Sequence, residues 1–292
     1  MSDIERRKSH TIQEDYPLPV DLDEINRLNA QHKAVTLLFD GLLPPAALAK
    51  FELNGGIGKV LDIGCGTGQW LIDLTNQFPN IQATGVDLSP IYPSVYPSQI
   101  TFIIRSILQP FPNDWMGTFD LVHARFLITG IRDFCSLLTR LGSLLRPGGV
   151  LVIVEPEMES RCLDGKIEDK CPSMARFGDI SREAMEKFGI DMEAAVQIPI
   201  YLSQDGQFEK VNKEMRELPM SDWPEDARLN QIGKAQLPNA LAMPDTIRKL
   251  VIASGIISEA DFEELKRGYQ GELRLGIGKL VLPIWSIWAT KV

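Results

Sequence analysis

Short apolar runs alternate with amphipathic stretches through the first half of the chain. Five runs rich in apolar and β-branched residues are predicted strands, and they cover residues 59–63, 83–87, 100–104, 119–122 and 150–154. Apolar residues at helical spacing predict helices over 70–78 and 134–145. Strands that alternate with helices are typical of a parallel sheet covered on both faces. The last run is apolar at every position, which favours a strand buried on both sides.

The segments on either side of this region have a weaker or a purely helical pattern. Apolar residues recur every three or four positions from residue 21 to about residue 43, after a polar arm over residues 1–20. Beyond residue 156 the pattern predicts a helix over 181–188, a strand over 208–218, two helices within 245–270 and a final strand over 279–290. One late helix is expected to open at Pro244 and Asp245, because proline is favoured in a first helical turn.

The composition narrows the class of protein. A chain of 292 residues with 44% hydrophobic and 24% charged residues is neither collagen-like nor wholly disordered. The net charge of −9 argues against nucleic-acid binding, which needs a basic surface. No apolar stretch approaches the roughly 20 residues of a membrane span, and no secretory signal is visible. Four scattered cysteines predict neither disulfides nor a metal site. We expect a cytoplasmic protein that acts on a small-molecule substrate and does not bind a membrane. The sequence does not indicate the oligomeric state.

A glycine-rich turn follows the first predicted strand. Gly64, Gly66 and Gly68 form the pattern G-x-G-x-G, and glycines at such a turn let the backbone approach a ligand closely. A dinucleotide site would have G-x-G-x-x-G and would present helix N–H groups to a pyrophosphate. Here the third glycine comes one residue early, and Asp62 stands just before the turn. A carboxylate there suits a cationic ligand such as S-adenosylmethionine better than a pyrophosphate.

A second carboxylate ends the second predicted strand. Asp87 lies 19 residues after Gly68, at a place where a carboxylate can accept hydrogen bonds from both ribose hydroxyls. The same geometry serves nicotinamide cofactors, so Asp87 predicts an adenosine-type cofactor without separating the two. The alternative is that Asp62 and Asp87 are only capping or turn residues.

With these motifs the chain resembles the class I S-adenosylmethionine-dependent methyltransferases, and more narrowly the fungal LaeA-like group found with secondary-metabolite pathways. The matching motifs are Tyr16-x-Leu18-Pro19, Glu24-x-x-Arg27-Leu28-x-x-Gln31-His32, Leu61-Asp62-Ile63-Gly64-x-Gly66-Thr67-Gly68-x-Trp70, Gly85-x-Asp87-Leu88-Ser89-Pro90, Phe119-Asp120-x-x-His123-x-Arg125 and Arg146-Pro147-Gly148-Gly149. The resemblance implies an α/β fold with a doubly wound, Rossmann-like, mostly parallel sheet. It also implies three consecutive segments: an arm and cap helix over 1–45, a cofactor-binding core over 46–156, and a helical substrate and lid region over 157–292 whose late strands complete the sheet.

The resemblance further implies a set of residues that bind S-adenosylmethionine at the carboxyl ends of the strands. Asp62, Gly64, Gly66 and Gly68 are expected to surround the methionine portion, and His123 and Ala124 to border its end. Asp87 and Leu88 are expected at the ribose, and Ser106 and Ile107 at the adenine. Tyr16 and the first helix are expected to cover the cofactor site. The sequence departs from the family after the third strand. There the family commonly has an acidic residue for the adenine amino group, and this chain has Ser106.

Methyl transfer is an in-line displacement, and it needs a general base only when the acceptor arrives protonated. His123 is the candidate base, since it follows the fourth predicted strand and its ordinary pKa is near 6.5. The alternative is a structural histidine whose backbone borders the cofactor. Glu155 either orients substrate or caps the loop before Pro156. Arg125 either holds a substrate carboxylate or pairs with a nearby aspartate, Asp120 or Asp133.

The sequence therefore predicts a methyltransferase that acts on oxygen or nitrogen of a small, aromatic or otherwise hydrophobic metabolite. The alternative is a LaeA-like regulatory protein that acts through protein partners and keeps a vestigial cofactor site. A nicotinamide-dependent oxidoreductase is disfavoured by the glycine spacing and by Asp62. Residues 181–191 are a candidate lid over the substrate.

Overall fold

The computed structural model describes residues 22–53, 55–56 and 58–292. These residues form two compact units. The first unit contains the described residues up to 38 together with 157–192 and 216–284, and the second contains 39–156, 193–215 and 285–292. Residues of the last two strands contribute to both units, and the three functional segments expected from the sequence stay a prediction.

The helices and strands are as follows. The helices are α1 (Leu22–Leu38), α2 (Pro45–Leu53), α3 (Gln69–Gln77), α4 (Phe134–Leu144), α5 (Ile167–Lys170), α6 (Pro172–Lys187), α7 (Ala194–Gln204), α8 (Ala227–Ser254) and α9 (Glu259–Arg274). The strands are β1 (Gly58–Ile63), β2 (Ile81–Asp87), β3 (Ile100–Ile104), β4 (Phe119–Arg125), β5 (Leu145–Pro156), β6 (Arg161–Cys162), β7 (Phe208–Pro219) and β8 (Leu280–Lys291). Within the part of the chain that the structure describes, no helix combines the length and the apolar character needed to cross a bilayer.

The second unit is built on a mostly parallel sheet. The strand order is β3-β2-β1-β4-β5-β8, and β1 pairs in parallel with β2 on one side and with β4 on the other. The chain therefore winds outward from β1 in both directions, and ligands of such sheets bind where the strand order reverses, at the carboxyl ends. The apolar centres of β1, β4 and β5 are buried, whereas only Ile100 of the apolar run in β3 is buried. The prediction of an α/β Rossmann-like sheet is confirmed.

The first unit is mainly helical. Helix α6 packs against α8 and α9, and α1 packs against α8. The first residues of β8 pair antiparallel with β6. Three residues of α6 that fall in or beside the candidate lid, Ile180, Ala184 and Met185, are buried in the hydrophobic core of this unit. The lid role of residues 181–191 stays a prediction, and those side chains serve the core because they lie on the apolar face of α6.

Several element predictions are wrong at their ends: α1 ends at Leu38, α6 begins at Pro172 and β5 begins at Leu145, each away from its predicted limit. The sequence expects a helix to open at Pro244, but α8 runs unbroken for 28 residues through both Pro238 and Pro244. It begins at Asp226, whose side chain accepts a hydrogen bond from the backbone N–H of Leu229, and ends at Gly255 in the left-handed conformation. Strand β4 continues three residues past its predicted end, because its last residues pair with β1 and β5 on both sides.

Candidate active site

The glycine turn between β1 and α3 has the conformation that its sequence predicts. Gly64, Gly66 and Gly68 have φ values of 70°, 53° and 70°, in the left-handed region that other residues rarely adopt. A Cβ atom on Gly64 would lie 2.4 Å from Cδ2 of Leu127, and one on Gly68 would lie 2.4 Å from Cζ of Phe102. Glycine is therefore required at these two positions both by the backbone and by the space.

Asp87 fastens the glycine turn to the end of β2. One carboxylate oxygen, Oδ2, accepts a hydrogen bond from the backbone N–H of Gly66 at 2.8 Å, and Oδ1 accepts one from Ser89 at 2.9 Å. A carboxylate has about four acceptor positions, so one that holds a turn in this way can also accept hydrogen bonds from the hydroxyls of a ligand. The turn-forming role and the ribose role of Asp87 are thus compatible with one another.

Asp62 and His123 form a buried pair on the neighbouring strands β1 and β4. Their Cα atoms are register partners, and Nδ1 of His123 lies 2.7 Å from Oδ1 of Asp62. The indole ring of Trp70 stacks on the imidazole with 3.8 Å between ring centroids and 5° between planes. Only 2% of His123 is exposed, and this burial lowers the pKa of the imidazole. A neutral imidazole that donates from Nδ1 to the Asp62 carboxylate is consistent with that direction.

The charged residues next to this pair also interact with one another. The Arg125 guanidinium, at the end of β4, is stabilised in its charged form by the carboxylates of Asp62, Asp73 and Glu155, while burial lowers its pKa. Neither aspartate suggested by the sequence serves Arg125 in this way. Asp120 pairs with Arg146 at 2.5 Å, and Asp133 caps α4 by accepting a hydrogen bond from Ser136.

Glu155 is fully buried at the end of β5. Its carboxyl oxygens accept hydrogen bonds from the backbone N–H groups of Leu127 at 2.7 Å and Ile128 at 3.3 Å. Burial raises the pKa of this carboxyl to about 8, although the two backbone hydrogen bonds and Arg125 act in the opposite direction. The sequence suggested a loop cap before Pro156, whereas Glu155 caps the loop that follows β4.

The loop that follows β3 contains the predicted adenine residues. Ser106 is buried, and its Oγ accepts a hydrogen bond from the backbone N–H of Leu108 at 3.3 Å. Arg140, from α4, donates to the carbonyl oxygen of Ile107 at 2.9 Å and to that of Gln109. The backbone of this loop is therefore held by a guanidinium from a distant helix.

Several residues of this site have no assigned role in the sequence analysis. Asp73 accepts a hydrogen bond from Gln69 at 2.7 Å within α3, Trp70 covers His123, and Arg140 holds the loop after β3. Trp70 follows the glycine motif directly, and that position is the signal that could have found it. Of the predicted site residues, Tyr16 lies outside the described residues.

The charges around the glycine turn fit a cationic ligand. Asp62 stands before the turn, so a pyrophosphate placed there would face its carboxylate. S-adenosylmethionine has a sulfonium and an ammonium near its methionine end and no phosphate. Asp87 suits the ribose of either cofactor, and the position of Asp62 favours S-adenosylmethionine over a dinucleotide.

Comparison with known proteins agrees with this assignment. A family model described as a methyltransferase domain matches residues 26–195. The methyltransferase pytC of Aspergillus terreus is 30% identical over 77% of this chain and 67% of its own length. The N-methyltransferase sirN of Leptosphaeria maculans is 26% identical over 94% of each chain, and the secondary metabolism regulator laeA of Aspergillus fumigatus is 29% identical over 75% of this chain and 57% of its own length. The chain therefore belongs to the methyltransferase-domain family, as its motifs predict, and it is an S-adenosylmethionine-dependent methyltransferase.

Proposed function

We propose that the protein transfers a methyl group from S-adenosylmethionine to oxygen or nitrogen of a small, aromatic or otherwise hydrophobic secondary metabolite. The observation that carries the proposal is the buried Asp62–His123 pair beside the glycine turn, at the point where the strand order reverses. The similarity to sirN over nearly the whole of both chains supports nitrogen as one possible acceptor atom.

Each predicted site residue has a proposed task. S-adenosylmethionine supplies a methyl group already activated by its sulfonium. The chain therefore has to bind the cofactor, orient the acceptor toward the methyl group and exclude water. Asp62 binds the cationic methionine end beside Gly64, Gly66 and Gly68. Asp87 and Leu88 bind the ribose. Ser106 and Ile107 border the adenine, with backbone groups of their loop in place of the acidic residue common in the family.

His123 is proposed to position Asp62. Its Nδ1 is used by the Asp62 carboxylate, one ring face is covered by Trp70, and the side chain is almost fully buried. A general base needs a free nitrogen within hydrogen-bond reach of the acceptor, and this arrangement favours the structural alternative. Ala124, the next residue of β4, is buried and offers only its backbone to the border of the site.

Calorimetric titration with S-adenosylmethionine, S-adenosylhomocysteine and NAD tests the cofactor part of the proposal. We expect binding of the first two and none of NAD. A screen of phenols, carboxylic acids and amines with radiolabelled S-adenosylmethionine then tests the acceptor. Tight cofactor binding together with no transfer to any small acceptor would contradict the proposed substrate class.

A regulatory function is the second candidate, and the similarity to laeA favours it. This chain spans 57% of that regulator's length. In that case the cofactor would bind while small acceptors stay unmethylated, and the protein would be recovered with a protein partner. If the wild-type protein methylates a small acceptor faster than the His123→Ala variant does, that result would argue against a purely regulatory function.

A further inference from the structure

Three consecutive backbone N–H groups after β4 converge on the end of β5. Phe126 has a left-handed φ of 56°, and Leu127 follows with φ −92° and ψ −16° in the right-handed region. A left-handed residue followed by a right-handed one turns successive N–H groups toward a common point and forms an anion-binding nest. This nest is formed by residues 126–128.

The acceptors that bind to this nest belong to the same chain, to Val154 and Glu155 of β5. The N–H of Phe126 donates to the carbonyl oxygen of Val154 at 3.0 Å. The N–H groups of Leu127 and Ile128 donate to Oε1 and Oε2 of Glu155 at 2.7 Å and 3.3 Å. Glu155 is completely buried, so its carboxyl is held away from bulk water. A non-glycine residue at positive φ costs roughly 1 kcal/mol or more, and it persists where its surroundings fix it, as they do here.

The nest lies directly against the glycine turn. The Cδ2 atom of Leu127 occupies the space in which a Cβ on Gly64 would sit, 2.4 Å from that point. Gly64 also donates its N–H to the carbonyl oxygen of Val86 at 2.8 Å, so the turn is held from the β2 side as well. The side chain of Leu127 thus fixes the other side of the turn, and its backbone is fixed by Glu155.

We propose that Glu155 is a positioning residue of the methyl-transfer site, which holds Leu127 against Gly64 and so keeps the glycine turn in the shape that binds the cofactor. This inference rests on the proposed use of the glycine turn as the methionine subsite. Glu155 acts on the turn through the backbone of Leu127 and Ile128, and it needs only its two acceptor oxygens for this task.

The test compares Glu155→Ala, Glu155→Gln and a control that weakens the same strand. Leu151→Ala is the control, since Leu151 is fully buried in β5, where its register partner is Val122, and the hydrogen bonds described above for residues 126–128 go to Val154 and Glu155. We expect the Kd for S-adenosylhomocysteine to rise about tenfold or more in Glu155→Ala, because two buried N–H groups lose their acceptor. Glu155→Gln keeps one acceptor oxygen and is expected to stay within about threefold of the wild type.

Hydrogen exchange supplies a second readout, in which the amides of Leu127 and Ile128 are compared with other buried amides of the sheet, because general destabilisation speeds all of them together. Relative to those other amides, Leu127 and Ile128 are expected to exchange faster in Glu155→Ala but not in Leu151→Ala. Equal affinity of Glu155→Ala and the wild type would overturn the proposal, as would an equal loss of affinity in Leu151→Ala. If Glu155→Ala does not fold, a wild-type Kd in Glu155→Gln combined with unprotected amides at both positions would overturn it as well. A wild-type protein that binds neither cofactor form would instead refute the proposed function, and amide exchange would still report on the nest.

Discussion

Asp87 accepts hydrogen bonds from the backbone amides of Gly66 and Ser89, so its substitution should affect the glycine turn as well as the proposed ribose contacts. In Asp87→Ala the N–H of Gly66 loses its acceptor and the proposed ribose contacts are lost together. Hydrogen bonds to a charged acceptor contribute about 1.5–3 kcal/mol, so the Kd for S-adenosylmethionine should rise about 10- to 100-fold. Calorimetric titration measures this change directly.

The control for that variant is Asp114→Ala. Asp114 is an exposed acidic residue in the short turn Asn113–Trp115, so it removes the same charge without touching the site. Its cofactor affinity should equal that of the wild type. If Asp87→Ala also keeps its affinity, the ribose role is wrong.

Glu155 predicts a pH dependence of stability with a definite sign. Its folded pKa is raised to about 8, whereas an exposed glutamate titrates near 4.5, so between these values the folded state binds more protons than the unfolded state. The free energy of unfolding should therefore fall as the pH rises from 5 to 8. Urea unfolding of the wild type and Glu155→Gln at both pH values should show a few kcal/mol more loss in the wild type. An equal pH dependence in both proteins would show that Glu155 does not titrate in this range.

At the residue scale, sequence reasoning found the parts of the site that are local. The glycines, Asp62 and Asp87 can be predicted because each belongs to one strand and the turn after it. The bond between His123 and Asp62 joins residues 61 positions apart. The position of Trp70 is a local signal, but its stacking partner His123 and the bond from Leu127 to Glu155 are likewise far apart in the sequence. Such contacts depend on strand register, which one sequence does not reveal.

At the element scale, two glycines within helices should respond in opposite directions to the same substitution. A Cβ on Gly233 of α8 would lie 2.0 Å from the carbonyl oxygen of Ser221, whereas one on Gly178 of α6 meets nothing within 4 Å. Gly178→Ala should raise the free energy of unfolding by about 0.5–1 kcal/mol, because alanine loses less backbone entropy in a helix. Gly233→Ala should lower it by about 1–3 kcal/mol. Chemical denaturation measures both, and a gain in both variants would contradict the close approach of α8 to Ser221.

The limits of helices and strands can be predicted only where local sequence signals agree with packing. The predicted apolar runs fall within β1, β4 and β5, where most positions are buried. Helix α8 is the counterexample, since Pro244 has the local character of a helix start but is buried in the middle of a helix. Packing of α8 against α1 and α6 offsets the hydrogen bonds that its two prolines cannot make.

At the scale of the whole molecule, the two interleaved units predict how a fragment behaves. Strand β5 lies between β4 and β8 in the sheet, and 123 residues separate the end of β5 from the start of β8. A fragment of residues 39–156 keeps β1 to β5 and loses β8, so it leaves an apolar strand unpaired at the edge. Unpaired apolar edges associate with one another, and we expect oligomers or aggregates in size-exclusion chromatography where the full chain elutes normally. A monomeric fragment that unfolds cooperatively would contradict this.

Strand β8 is translated after all the other strands of the sheet, so β5 lacks this neighbour for part of the synthesis of the chain. At about 5–20 residues per second, a ribosome needs on the order of 10 s to translate the residues between β5 and β8. Throughout that interval the nascent chain has an open β5 edge made of some of its most apolar residues. Production in a cell should accordingly depend on a chaperone that covers this edge, and yield should fall when chaperones are limiting even though the finished protein has its sheet complete.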